Sequence, residues 1–181
     1  MTFDTDSELH LPGRDDQRDQ RLTLLNDLGL ATPDAEFDAF AAQLARDAGV
    51  PYAMVNIFTD QQVFVGLHNP ADERLPKISR TMPRDHGYCP EVVERQKPLV
   101  LPDVYAHPRF ASNEVVDKIG IRTYAGAPLI HEPTGIVLGT VCFVGTTALP
   151  LSTGRTSLEL IKKRRDALMQ LIDQRVPHRS R

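Results

Sequence analysis

Four apolar runs with strand periodicity, joined in pairs by very short connections, decide what this chain can fold into. Tyr52–Phe58 and Gln62–Leu67 are separated only by Thr59-Asp60-Gln61, and Arg122–Leu129 reaches Ile136–Val144 through a turn containing Pro133 and Gly135. Connections this short turn the chain back beside itself, so antiparallel pairing is expected. A brief strand over Leu99–Val104 contains Pro102, which has no amide hydrogen to give to a ladder and belongs at a sheet edge.

Helical stripes flank these runs. Leu22, Leu24, Leu25 and Leu28 precede Gly29, a helix-stopping residue. Thr32 as N-cap and Pro33 in the first turn open a second helix, with Phe37, Phe40, Ala41, Leu44, Ala45 and Ala48 on its apolar face and Gly49 at its end. His86–Gln96 reads as a short helix, and Ser112-Asn113 opens another through Val115, Val116 and Ile119 to Gly120. After Thr153-Gly154 a long last helix turns Leu158, Ile161, Leu168 and Ile172 inward and Lys162–Arg165 toward solvent. Between His68 and Asp85 lies a proline-containing loop without periodicity, and long ordered loops are disproportionately functional. Helices at both ends and strands between them are an α+β order, not a βαβ alternation. The fold expected is an antiparallel sheet of about six strands with the terminal helices on one face. The 181 residues suit one core, with 1–15 as a flexible tail, 16–176 as the domain and 177–181 as a basic tail.

Charge and cysteine usage narrow the setting. A net charge of -3 gives no pull toward nucleic acid or an anionic membrane. No apolar run reaches the length of a membrane span, and the acidic N-terminus has no signal core. Only Cys89 and Cys142 are present, which fits a reduced cytoplasmic protein better than a disulfide scaffold.

Four short words stand in order along the chain: Arg109-Phe110, then Asn113 three residues on, then YAGAPL at 124–129, then LGTVCF at 138–143. In this order and at these separations they resemble the GAF domain, a small-molecule sensor fold. The resemblance covers roughly residues 20–175 and implies one sensor domain with no output domain attached. It further implies that the middle loops and short helices roof a pocket on the sheet face away from the terminal helices.

The pocket wall implied in this way is Tyr88, Cys89, Asp103, Arg109, Phe110, Asn113 and Tyr124. Aromatic sides with a few polar groups are what a buried small-molecule site requires. Arg109 could meet a carboxylate or phosphate, or simply pair with Asp103; Asn113 could bind ligand or cap the helix that follows it. The N-K-F-D-E signature of the cyclic-nucleotide-binding members has no match here. Cys89 opens a helix, where a thiol is more acidic, and its position is similar to a cysteine of the GAF-type free methionine sulfoxide reductases. The further cysteine of those enzymes falls where this chain has His107–Asn113 and no thiol; Cys142, on a strand between Val141 and Phe143, is expected to be a buried structural residue that forms no disulfide with Cys89. His68, His86, His107 and His131 lack metal-ligand spacing, and neither haem nor a metal is expected.

The reading is a non-catalytic small-molecule-binding sensor, its ligand unidentified, that acts through dimerisation or a signalling partner protein. The alternatives are a thiol reductase using Cys89, and a dimerisation module with a vestigial pocket. A homodimer is expected through the first and last helices, where Leu24, Met169, Leu171 and Val176 exceed one apolar stripe and Asp15, Asp16 and Asp19 could face Lys162, Lys163 and Arg165.

Overall fold

The computed structural model describes residues 15–175 together with two short strands, β1 (Thr2–Phe3) and β2 (His10–Leu11), which pair antiparallel where the sequence suggests only a tail. The remainder of 1–14, Val176 of the proposed dimer surface and the basic tail 177–181 lie outside the described residues.

Chain order then runs α1 (Arg18–Asp27), α2 (Ala35–Ala48), β3 (Tyr52–Phe58), β4 (Gln62–His68), β5 (Thr81–Met82) and α3 (Cys89–Arg95). It continues through β6 (Leu99–Leu101), α4 (Pro108–Ala111), α5 (Glu114–Ile119), β7 (Thr123–His131), β8 (Ile136–Gly145) and α6 (Gly154–Arg175). Six strands form one sheet in the order β5-β4-β3-β8-β7-β6, and every neighbouring pair is antiparallel. The fold is therefore the expected α+β arrangement. β6 is an edge strand and stops before Pro102, as the missing amide hydrogen requires.

Side-chain alternation divides the core in two. Ala53, Val55 and Ile57 of β3, Val65 of β4, Ala125, Ala127 and Leu129 of β7, and Val141 and Phe143 of β8 meet Leu25, Phe37, Leu44, Ile161, Leu168 and Ile172 from α1, α2 and α6. Tyr52, Met54 and Phe58, Phe64, Tyr124, and Cys142 and Val144 point to the other face, under α3, α5 and the 68–86 loop.

Local chemistry alters three details of the helices. The N-cap of α2 is Asp34, not Thr32: its carboxylate accepts from the amides of Glu36 (2.8 Å) and Phe37 (3.3 Å). The Asp34 amide is meanwhile bonded to the Val65 carbonyl of β4, which holds the chain extended past Pro33 and delays the helix. On α6 only Lys162 and Lys163 of the Lys162–Arg165 run are exposed. Arg164 lies over the Phe40 ring at 4.4 Å and pairs with Asp47 at 3.7 Å, its long stem covering apolar surface beside the inward stripe. On α1 the buried groups are Leu25 and Arg21, whose guanidinium donates to the Val137 carbonyl of β8 and to Asp15 (2.6 Å).

Those contacts also consume much of what was assigned to a dimer. Leu24, Leu28, Met169 and Leu171 are partly buried against the same core, within one chain. Asp15 is held by Arg21 and Arg84, Asp19 by Arg18, and Arg165 by Asp166.

Gly66 marks where α2 rests on the sheet. A Cβ there would stand 2.5 Å from the Phe37 carbonyl oxygen, against backbone that cannot turn aside. Gly66→Ala is expected to destabilise the fold by about 1–3 kcal/mol, the usual cost of overpacking. Urea unfolding of the variant beside wild type measures it, and an unchanged midpoint would show that α2 does not seat closely on β4.

Candidate functional site

Two neighbouring strands make the floor. Met54 and Asn56 on β3 stand in register with Cys142 and Thr140 on β8, so these four side chains form a square on the face away from the terminal helices. Asn56 and Thr140 are fully buried polar residues in otherwise apolar strands. The Asn56 amide nitrogen donates to the Gln62 side-chain oxygen at 2.7 Å. Gln62 in turn donates to the carbonyls of Pro83 (2.9 Å) and His86 (2.7 Å), tying the roof loop to the floor. Asn56 Oδ1 and Thr140 Oγ1 are left without a hydrogen-bond partner.

The roof is held by Asn113. Its side-chain oxygen accepts from the amides of Gly87 (3.1 Å) and Val115 (3.2 Å), and its nitrogen donates to the Gly87 carbonyl (2.9 Å). It thereby caps α5 and clamps the segment before α3 in one move. Gly87 has φ +75°, a backbone state that suits glycine.

Tyr88, Cys89, Phe110 and Tyr124 gather around the floor. Tyr88 stacks edge-on to Phe110 (5.8 Å between centroids) and tilted on Tyr124 (5.2 Å), while its hydroxyl donates to the Phe110 carbonyl at 2.7 Å. A cavity of about 30 Å³ remains beside Tyr88, Cys89 and Tyr124, lined also by Met54, Gln62, Phe64 and Cys142. That is room for one or two waters.

Asp103 does not join this group, and Arg109 meets it only at the Phe110 ring, over which its guanidinium lies at 5.4 Å. Asp103 accepts from the Tyr105 amide at 3.1 Å and pairs with Arg122 at 3.3 Å. Arg109 pairs with Glu91 at 2.9 Å, Asp103 being taken by Arg122. The Arg109–Asp103 pair, one of the two alternatives the sequence leaves open, is thus replaced by two separate pairs. Glu91, a buried carboxylate at the start of α3, escapes sequence reasoning since nothing local marks its partner.

Cys142, expected to be merely structural, stands 3.7 Å from Cys89, sulfur to sulfur, and both are free thiols. Cys89 Sγ is also 3.3 Å from the Tyr124 hydroxyl, and Cys142 Sγ is 3.4 Å from Met54 Sδ. The contact with Cys142 holds the Cys89 thiol below its usual range; burial pushes it up, and Thr140, Tyr124 and Asn56 help to bring it down. The same contact raises Cys142. Among the described residues no three His, Cys, Asp or Glu side chains group as metal ligands, and no helix is long and apolar enough to cross a membrane.

A family model described as the GAF domain matches residues 32–163. No curated protein matches the chain. Among solved structures, a far-red cyanobacteriochrome photoreceptor superposes with a TM-score of 0.62 at 14% identity, covering 88% of this chain and 98% of that one. The type II free methionine-R-sulfoxide reductase of Thermoplasma acidophilum gives 0.58 at 10% identity over 77% and 92%. The GAF domain of an Acinetobacter phosphoenolpyruvate-protein phosphotransferase gives 0.56 at 12% identity over 90% and 96%. Likenesses at these identities establish the shared fold.

Asn113→Ala removes three hydrogen bonds at once and uncouples α5 from the roof. The expected cost is about 1–3 kcal/mol, the range for a lost cap plus stranded buried partners. Hydrogen exchange at Gly87 and Val115 should rise well above that in β3. Equal protection in variant and wild type would show that the clamp does not hold the roof.

Proposed function

Since the chain belongs to the GAF domain family, we propose that it is a small-molecule-binding regulatory domain whose ligand enters between the β3–β8 floor and the roof of Gly87, Tyr88 and Phe110. The observation that carries this reading is the pair of stranded polar atoms, Asn56 Oδ1 and Thr140 Oγ1, buried in the middle of the sheet. An unpartnered buried polar group costs about 1–3 kcal/mol. A ligand with a hydrogen-bond donor and an otherwise apolar or aromatic body would relieve that cost and pack on Tyr88, Phe110 and Tyr124. With about 30 Å³ open, entry requires the roof to lift, so binding and loop position are coupled.

Thr140→Val tests this reading, because it keeps the side chain's shape and deletes the stranded hydroxyl. The unliganded variant is expected to be as stable as wild type, or more so by about 1 kcal/mol. Native mass spectrometry of gently purified wild type should show a bound mass that denaturation releases, and the variant should carry roughly tenfold less of it, the equivalent of one hydrogen bond. Bare protein that no small-molecule panel stabilises against heat would favour the dimerisation module with a vestigial pocket.

A second reading, a thiol enzyme that reduces a sulfoxide, gains from the Cys89–Cys142 contact of 3.7 Å. Reduction of free methionine sulfoxide that disappears in Cys89→Ser would replace the regulatory reading with it.

Output is proposed to run through a homodimer of α1 and α6 or through a partner protein seated on them. The half-buried Leu22, Leu24, Met169 and Leu171 support this surface; the acidic and basic termini do not, since Asp15 and Asp19 are engaged within the chain. Sedimentation at micromolar concentration should give a dimer that Leu24→Glu with Leu171→Glu splits. A wild-type monomer would leave the partner protein as the route.

A further inference from the structure

The two thiols are the part of the pocket that ligand binding leaves unused. Cys89 opens α3 and Cys142 stands in the middle of β8, 53 residues apart in sequence, yet their sulfurs are 3.7 Å apart. A disulfide bond is about 2.05 Å long, so closure asks for a rotation at each Cβ and a small shift of a short helix, not for refolding. Cys89 belongs to a seven-residue helix, whereas Cys142 is fixed in the sheet interior. The mobile partner is therefore on the roof side.

We propose that Cys89 and Cys142 are an internal redox pair that hydrogen peroxide oxidises to a disulfide, locking α3 onto β8.

Three observations support the pair beyond its separation. The cavity that both thiols line is about 30 Å³, large enough for a peroxide molecule close to water in size and too small for a peptide thiol or a bulky hydroperoxide. Cys89 is the sulfur set to react: the contact with Cys142 and the nearby Thr140, Tyr124 and Asn56 dipoles favour its thiolate. Cys142, held in the thiol form, is suited to resolve. The stranded Asn56 Oδ1 and Thr140 Oγ1 sit on the same strands and face, where they can receive the hydroxyl of an oxidised sulfur or of a product water.

The chemistry balances with peroxide alone. The Cys89 sulfur attacks one peroxide oxygen; the O–O bond breaks, an S–O bond forms, and the departing hydroxide takes the Cys89 proton as water. Cys142 sulfur then attacks Cys89 sulfur; the S–O bond breaks, the S–S bond forms, and hydroxide leaves with the Cys142 proton as a second water. Two thiols give up two protons and two electrons, and one peroxide becomes two waters. Return to the thiols needs a dithiol reductant and a lifted roof.

The test uses the full chain treated with a few equivalents of hydrogen peroxide and read by intact mass without reductant. Wild type is expected to lose two hydrogens per chain, to lose both maleimide-reactive thiols when denatured, and to recover them with dithiothreitol. Cys142→Ser should retain a sulfenic acid at Cys89 that dimedone captures. Cys89→Ser should oxidise roughly tenfold more slowly, because its remaining thiol, Cys142, is buried in the sheet interior at 1% exposure. Native protein that keeps both thiols while urea-unfolded protein loses them overturns the proposal, as does oxidation that yields only disulfides between chains. The readout is thiol content, so a pocket that binds no ligand leaves the result unaffected.

Discussion

A sheet covered on both faces offers its central strands no water, and the rest of this structure follows from that. Every residue of β3 and β8 is buried. A polar side chain there must find a partner within the protein or remain costly. Asn56 solves half of its problem through Gln62, and Gln62 solves its own by donating to the carbonyls of Pro83 and His86. The roof loop is thus held to the floor by amide hydrogen bonds that exist because the floor is dry. Asn113 repeats the device on the other side through Gly87.

How far this was legible in the sequence depends on the reach of each signal. The β3–β4 and β7–β8 pairs were plain, since period and turn lie within a few residues of each other. Gly49 and Gly120 were equally plain as helix ends, and both adopt the left-handed state expected of them. The α2 N-cap was misplaced by two residues because what delays the helix is a bond from the Asp34 amide to Val65, on a strand not yet made. Arg21 is 1% exposed in the fold, and its partner on the sheet, the Val137 carbonyl, lies far along the chain where no local signal points to it.

The site was legible in its aromatic side chains, in Cys89 and in the Asn113 cap. Tyr88, Cys89, Phe110 and Tyr124 do assemble, whereas Arg109 and Asp103 spend their charges on Glu91 and Arg122. Charge pairing is a poor guide from sequence because either carboxylate would have satisfied Arg109, and Asp103 is claimed instead by Arg122, just before β7. The floor could have been found. Asn56 in YAMVNIF and Thr140 in LGTVCF interrupt apolar runs, and strand parity puts them with Met54 and Cys142 on one face. Parity alone could not say that this face was the pocket, nor bring α3 down onto it, so the proximity of the two thiols stayed hidden.

The same parity explains how an event in the pocket could reach the opposite surface. Cys142 faces the pocket, and its neighbours Val141 and Phe143 face the core shared with α2 and α6. A strand has no slack between adjacent residues, so a shift that seats a ligand on Thr140 or draws Cys89 to Cys142 moves side chains on both faces. At the far end α6 is pinned to α2 by Arg175, which pairs with Asp34 at 3.0 Å and with Glu36 and lies 4.1 Å over the Phe37 ring. The α6 helix therefore does not swing freely about its end. Motion arriving through β8 would appear as a change in how α2 and α6 pack together on the sheet, a small shear of packed helices rather than a hinge. A partner or second subunit reading these helices would respond to that packing, and so to the pocket, without touching it.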